Sequence, residues 1–196
     1  MLSLKNIEVE LRALVPNIEE FKKVLEKKDI KVLRKVYLYD IYYCAKNINK
    51  LEEVEMNNVG SYSLRLRKIK EDEKKEKVYL NTKTITKKGD HNAWEEHETQ
   101  VSDFNEIQEI LKMIGFKDFF KLEKNRFYYK YKDLNIFLDN INDFGACIEV
   151  EKIVAKGNED NAKLNIKKFL NSIGINKKDI VAKSVTNLVM KARAFK

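Results

Sequence analysis

Along most of this chain apolar and polar residues alternate one by one, the period of an extended strand, and in a few stretches the apolar positions recur at helical spacing. The segment Ile7-Glu8-Val9-Glu10-Leu11-Arg12 sets the pattern: Ile7, Val9 and Leu11 share one face, Glu8, Glu10 and Arg12 the other. Further strands are expected at 32–44, 61–70, 77–86, 92–101, 119–131, 135–141 and 146–154, each rich in β-branched or aromatic residues. Asn17 caps a first helix carrying Ile18, Phe21, Val24 and Leu25 and ending near Lys28. Ser102 or Asp103 caps a second, with Phe104, Ile107, Ile110, Leu111 and Ile114, and Gly115 stops it. A third helix is expected over 160–173 and a helical tail from Lys177 to about Lys191, while Lys87-Lys88-Gly89-Asp90 reads as a hairpin turn.

The polar faces carry charge with unusual consistency. Arg65 and Arg67 share a face with Ser63, opposite Leu64 and Leu66. Lys83 lies with Lys77, Tyr79 and Asn81, and Glu96 and Glu98 lie with Trp94. Lys124, Arg126 and Lys130 lie with Tyr128; Asp139 follows Phe137, and Glu149 and Glu151 stand together opposite Ile148 and Val150. An antiparallel sheet with one wet face explains any single strand. Both signs on nearly every strand suit instead a closed sheet with a polar lumen and helices packed outside. Charges held in such a lumen need partners, so the cations are matched by an anionic ligand and the carboxylates by a divalent metal or by the cations themselves.

Composition narrows the classes. A chain of 196 residues with one Pro and six Gly reads as a single domain, 1–196, with the helical segment from about 160 packed on or beside the barrel. No stretch approaches the roughly 20 apolar residues of a membrane span, and Glu8 and Glu10 stand too early for a secretory leader, so a cytoplasmic protein is expected. The two cysteines, Cys44 and Cys147, lack metal-ligand spacing and are expected as reduced, buried or half-buried thiols. The net charge of +8 is compatible with a polyanionic partner, yet the runs 68–77 and 87–90 mix signs and read as solvated loops, not as a nucleic-acid arm.

The ordered motifs resemble those of the CYTH superfamily, the triphosphate tunnel metalloenzymes. "EVELR" (Glu8, Glu10, Arg12) is similar to the N-terminal ExExK signature. In the family's order follow "SLRLRK" with Arg65 and Arg67, "NTKTIT" with Lys83, "EEHE" with Glu96 and Glu98, "EKNRFYY" with Lys124 and Arg126, and "FLDNINDFGACIEVE" with Asp139, Gly145, Glu149 and Glu151. "YLYDIYYCAKN" and "DNINDFGACIEVE" look most like the class IV adenylate cyclase branch. The resemblance implies an α+β fold, an eight-stranded antiparallel closed β-tunnel with a charged lumen, and bound Mg²⁺ or Mn²⁺. It implies metal ligation by Glu8, Glu10 and Glu149 or Glu151, and phosphate clamping by Arg65, Arg67, Lys83, Lys124 and Arg126. Glu8, Glu10, Arg12, Lys83 and Asp139 form the implied catalytic set, Asp139 orienting a basic side chain or binding metal, with Glu96 and Glu98 as further tunnel residues.

The implied reaction is that of a class IV adenylate cyclase, ATP to cyclic AMP and pyrophosphate. The alternatives are a triphosphatase acting on inorganic, thiamine, nucleoside or RNA 5′-triphosphate, and a non-catalytic polyphosphate-binding module. An RNA 5′-triphosphate end is the one nucleic-acid partner this allows; no membrane partner is expected, and a homodimer is left open. The chain departs from the family at Arg12, where the signature has lysine, and at Lys183-Ser184-Val185, where many relatives carry Ser-Tyr; the stretch 46–60 is a long insert, read as an entrance cover. His91 is read as a turn residue and His97, alternating away from Glu96 and Glu98, as a packed or rim residue.

Overall fold

The computed structural model describes residues 6–49, 54, 59–72, 74–85, 94–181 and 184–194. It is an α+β fold with a nine-stranded antiparallel sheet and four helices. The strands are β1 (Asn6–Val15), β2 (Val32–Ala45), β3 (Tyr62–Lys70), β4 (Lys77–Ile85), β5 (Trp94–Val101), β6 (Phe116–Tyr131), β7 (Leu134–Ile141), β8 (Gly145–Ala155) and β9 (Ile180–Val181). Their order is β5-β4-β3-β2-β6-β7-β8-β1-β9. The helices are α1 (Ile18–Glu26), α2 (Phe104–Met113), α3 (Glu159–Ser172) and α4 (Val185–Ala194). None is long and apolar enough to cross a membrane.

The starts of α1 and α2 follow from their caps. Asn17 accepts from the backbone N–H groups of Glu19 and Glu20 at 2.9 and 3.2 Å, and Asp103, not Ser102, accepts from Asn105 and Glu106 at 2.8 and 3.0 Å. Gly115 follows α2 at φ +100°, which a side chain would resist. One expectation fails. Instead of a continuous helical tail from Lys177, one 3₁₀ turn spans Lys177–Asp179, then Ile180 and Val181 pair with Ala13 and Arg12 on β1 before α4 begins. The Asp179 carboxylate accepts from the Asn176 backbone N–H at 3.0 Å and closes that turn, and the β-branched pair that follows suits an added strand. The expected turn at 87–90, His91 and most of the insert at 46–60 lie outside the described residues.

The chain divides into two compact units, one of residues 1–35 and 124–196, the other of 36–123. In the first, α3 buries Ala162, Ile166, Phe169 and Leu170, a helical stripe that packs on β1 and β8 with Val9, Ala13, Ile148 and Val150. In the second, Phe104 and Leu111 of α2 cluster with Ile41, Tyr43, Leu66 and Val78 from β2, β3 and β4. The apolar residues of β1 and β8, and of β3 and β4, thus go to a helix-covered core, and the charged residues that alternate with them lie on the opposite face of those strands. Cys44 and Cys147 are free and buried, as expected.

Candidate functional site

In the first unit, strand register brings the charges together. Arg12 on β1 stands opposite Glu149 on β8, and Glu10 opposite Glu151; Arg126 on β6 stands opposite Asp139 on β7. Arg12 donates through Nε to Glu149 Oε2 at 3.1 Å and through Nη2 to Glu10. Asp139, 2% exposed, accepts from Lys124 Nζ at 2.6 Å and from Arg126 Nε and Nη2 at 2.7 and 2.8 Å. Arg126 Nη2 also lies 3.6 Å from Glu149 Oε1. Three cations, Arg12, Lys124 and Arg126, thus share three carboxylates, Asp139, Glu149 and Glu10, in one connected ion-pair network.

Burial alone would raise the carboxyl pKa values of Asp139 and Glu149, but the cations win. Arg126 and Lys124 hold Asp139 well below the usual carboxylate range, Arg126 and Arg12 hold Glu149 down, and against its own burial Arg126 is raised further by Asp139. Cys147, opposite Asp139 in the register, goes the other way: burial pushes its thiol up to about 12, so it is no nucleophile near neutrality. Aromatic rings line the same group. The Arg126 guanidinium stacks over Phe137 at 4.7 Å, Phe137 meets Tyr128 edge-on at 5.1 Å, and Arg34 covers Tyr128 at 3.9 Å.

A second feature of this unit is all-acidic. One carboxylate oxygen from each of Glu8, Glu10 and Glu151 lies within 4.8 Å of the others. Like charges directly opposite, as Glu10 and Glu151 are, repel, and a hard divalent cation with oxygen ligands relieves that repulsion. Of the two alternatives left open on β8, Glu151 joins this group, while Glu149 is engaged by Arg12 and Arg126.

In the second unit, β2, β3, β4 and β5 assemble another charged group. Lys83 lies opposite Glu96 in the register, Nζ to Oε2 at 2.7 Å, and buried Asn81 donates to Glu96 Oε1 at 2.6 Å. Against its partial burial, Lys83 and Asn81 lower the Glu96 pKa. Arg67 donates through Nε and Nη2 to the two oxygens of Asp40, both at 2.6 Å, and Arg65 Nη1 lies 3.8 Å from the same carboxylate. Glu98 is exposed opposite Asn81, and His97 is exposed 3.0 Å from Glu95. The sequence reading passed over Asp40. Its signal is the lone acid in the apolar run "VYLYDIYYC", which needs a buried cationic partner.

A model of the CYTH domain matches residues 6–185. The chain belongs to the CYTH family. A Methanocaldococcus jannaschii protein named "putative adenylate cyclase" is 28% identical over 185 residues, covering 93% of this chain and 98% of that one. Among solved structures, a Pyrococcus horikoshii protein is 26% identical with a TM-score of 0.75, covering 95% of this chain and 99% of its own. A Hippeastrum protein described as a "putative adenylyl cyclase" that "reveals a dominant" triphosphatase activity shares the fold at a TM-score of 0.62 and 16% identity, with 96% of each chain covered. CYTH members are mostly metal-dependent enzymes acting on triphosphates, and an acidic cluster of three glutamates is present among the described residues of this chain.

The paired carboxylates make this CYTH chain acid-sensitive in a defined direction. Asp139, Glu149 and Glu96 have lowered pKa values in the folded protein, whereas unfolded Asp and Glu titrate at about 3.9 and 4.3. Their stabilisation is therefore present above about pH 4 to 5 and lost as pH falls through the lower folded values. The urea midpoint is expected to fall on acidification below about pH 4; a midpoint that rises there contradicts the pairing.

Proposed function

We propose that this protein is a metal-dependent enzyme acting on a nucleoside triphosphate, with the chemistry of a class IV adenylate cyclase. The observation that carries the reading is the juxtaposition, within one unit, of acidic Glu8, Glu10 and Glu151 with cationic Arg12, Lys124 and Arg126. A divalent cation held by the three glutamates would neutralise phosphate charge and polarise a phosphoryl oxygen. Lys124 and Arg126, braced by Asp139, bind phosphate oxygens. Arg12 stands where the family has lysine and supplies a forked donor in place of a compact ammonium. Arg65, Arg67 and Lys83 are carried over as further phosphate contacts, Glu149 and Glu96 hold their cations, and Glu98 is a peripheral tunnel residue. Closure of the sheet into a tunnel belongs to the same proposal, as do a single CYTH domain over the whole chain and a cytoplasmic site of action.

In the cyclase reaction the ribose 3′-oxygen attacks the α-phosphorus, the bond from that phosphorus to the β-bridging oxygen breaks, pyrophosphate leaves, and the hydroxyl proton passes to solvent or a nearby base. A triphosphatase is the second reading, favoured by the activity named for the Hippeastrum relative; there water attacks the terminal phosphorus, its bond to the bridging oxygen breaks, the diphosphate departs and orthophosphate is the other product. Chromatography of ATP after incubation with protein and Mg²⁺ or Mn²⁺ separates them. Cyclic AMP with equimolar pyrophosphate is the expected result; ADP with orthophosphate and no cyclic AMP overturns the cyclase assignment and leaves the triphosphatase.

A further inference from the structure

Asp40 is the most deeply buried charged side chain among the described residues, at 0% exposure, and it stands directly opposite Arg67 in the β2–β3 register. Both of its oxygens are taken by Arg67, Nε and Nη2 each at 2.6 Å, a bidentate fork that fixes the guanidinium plane. Arg65, two residues along the same face, lies only at 3.8 Å from that carboxylate, and its buried Nε has no hydrogen-bond partner among the described residues. A buried donor left without an acceptor is costly unless an acceptor arrives, and the fitting one is an anionic oxygen. The two arginines therefore differ: Arg67 is braced by an internal carboxylate, and Arg65 keeps an unanswered donor.

We propose that Asp40 is a positioning residue for anion recognition, locking Arg67 so that the adjacent Arg65, whose Nε is left unsatisfied, turns its guanidinium to a phosphate oxygen of the substrate. This inference rests on the triphosphate reading above. It makes a prediction opposite in sign to simple electrostatics. Removing a carboxylate beside two arginines should strengthen anion binding if charge alone mattered, whereas loss of the brace weakens it.

The test is calorimetric titration of inorganic tripolyphosphate, without metal, into wild type, Asp40→Asn and Arg65→Gln, with circular dichroism confirming the fold. Asp40→Asn is expected to raise Kd by about tenfold or more, and Arg65→Gln by a similar factor. An unchanged or lower Kd in folded Asp40→Asn overturns the positioning role. If Asp40→Asn does not fold, Asp40→Asn/Arg67→Gln, which removes both charges, is compared with Arg67→Gln alone. Equal Kd values within about twofold support the brace, and a tighter-binding double variant overturns it. Failure of wild type to bind tripolyphosphate both without metal and with Mg²⁺ refutes the triphosphate reading and this inference together, whereas binding by wild type that is indifferent to Asp40 refutes this inference alone.

Discussion

Asp139→Ala is expected to cost about 3–5 kcal/mol of folding stability, the range for removing one partner of a buried ion pair. Asp139 accepts all three short bonds made by Lys124 Nζ and by Arg126 Nε and Nη2, and Lys124 is itself only 7% exposed. Without the carboxylate, two charges stay on a largely buried face with their nearest acceptor gone, and among the described residues only Glu149, 3.6 Å from Arg126, is left as an ion-pair partner to either. The contrast is Lys112 with Glu109, a pair of similar length at 2.6 Å on the exposed face of α2. Breaking that pair should change stability by less than about 1 kcal/mol. Urea unfolding at pH 7 measures both; an Asp139→Ala loss below about 1 kcal/mol would mean that the cluster is solvated and weakly coupled.

The second large effect is on turnover. Glu10→Gln is expected to lower metal-dependent activity by roughly 100-fold or more, since removing one of three hard oxygen ligands weakens the charge neutralisation on which phosphoryl chemistry depends. The fold should survive. Glu10 is half-buried, faces Glu151 across the ladder and pairs with Arg12, so the amide relieves one repulsion while giving up one attraction. The net stability change is expected within about 1 kcal/mol. Glu149→Gln separates the roles of the two β8 acids: it should disturb Arg12 and Arg126 without lowering affinity for Mn²⁺, whereas Glu151→Gln should lower it. Full activity in Glu10→Gln and Glu151→Gln alike would remove the metal assignment.

Much of this was legible because strand alternation determines face membership. Once Ile7, Val9 and Leu11 are assigned to the core, Glu8, Glu10 and Arg12 can only lie together, and the same holds for Arg65 with Arg67 and Glu149 with Glu151. What alternation cannot give is cross-strand register, which decides that Arg12 meets Glu149 and that Glu10 meets Glu151. That register separated Glu151, in the three-glutamate group, from Glu149, in the cationic one, where sequence left both open. Asp40 was missed for another reason: in "VYLYDIYYC" its neighbours are buried on both faces, so no alternation marked it. The C-terminal tail misled because Ile180 and Val181 are compatible with a helix, and only the neighbouring β1 edge makes them a strand.

On the proposed reading, the charged faces turn over a triphosphate with a divalent metal. Phosphorus NMR of the purified protein with ATP, and separately with inorganic triphosphate, in Mg²⁺ and then Mn²⁺, tests it most directly. New pyrophosphate or orthophosphate resonances that appear with metal and stop on adding EDTA are the predicted result. Unchanged spectra for both substrates with both metals would contradict an enzyme and leave a polyphosphate-binding module.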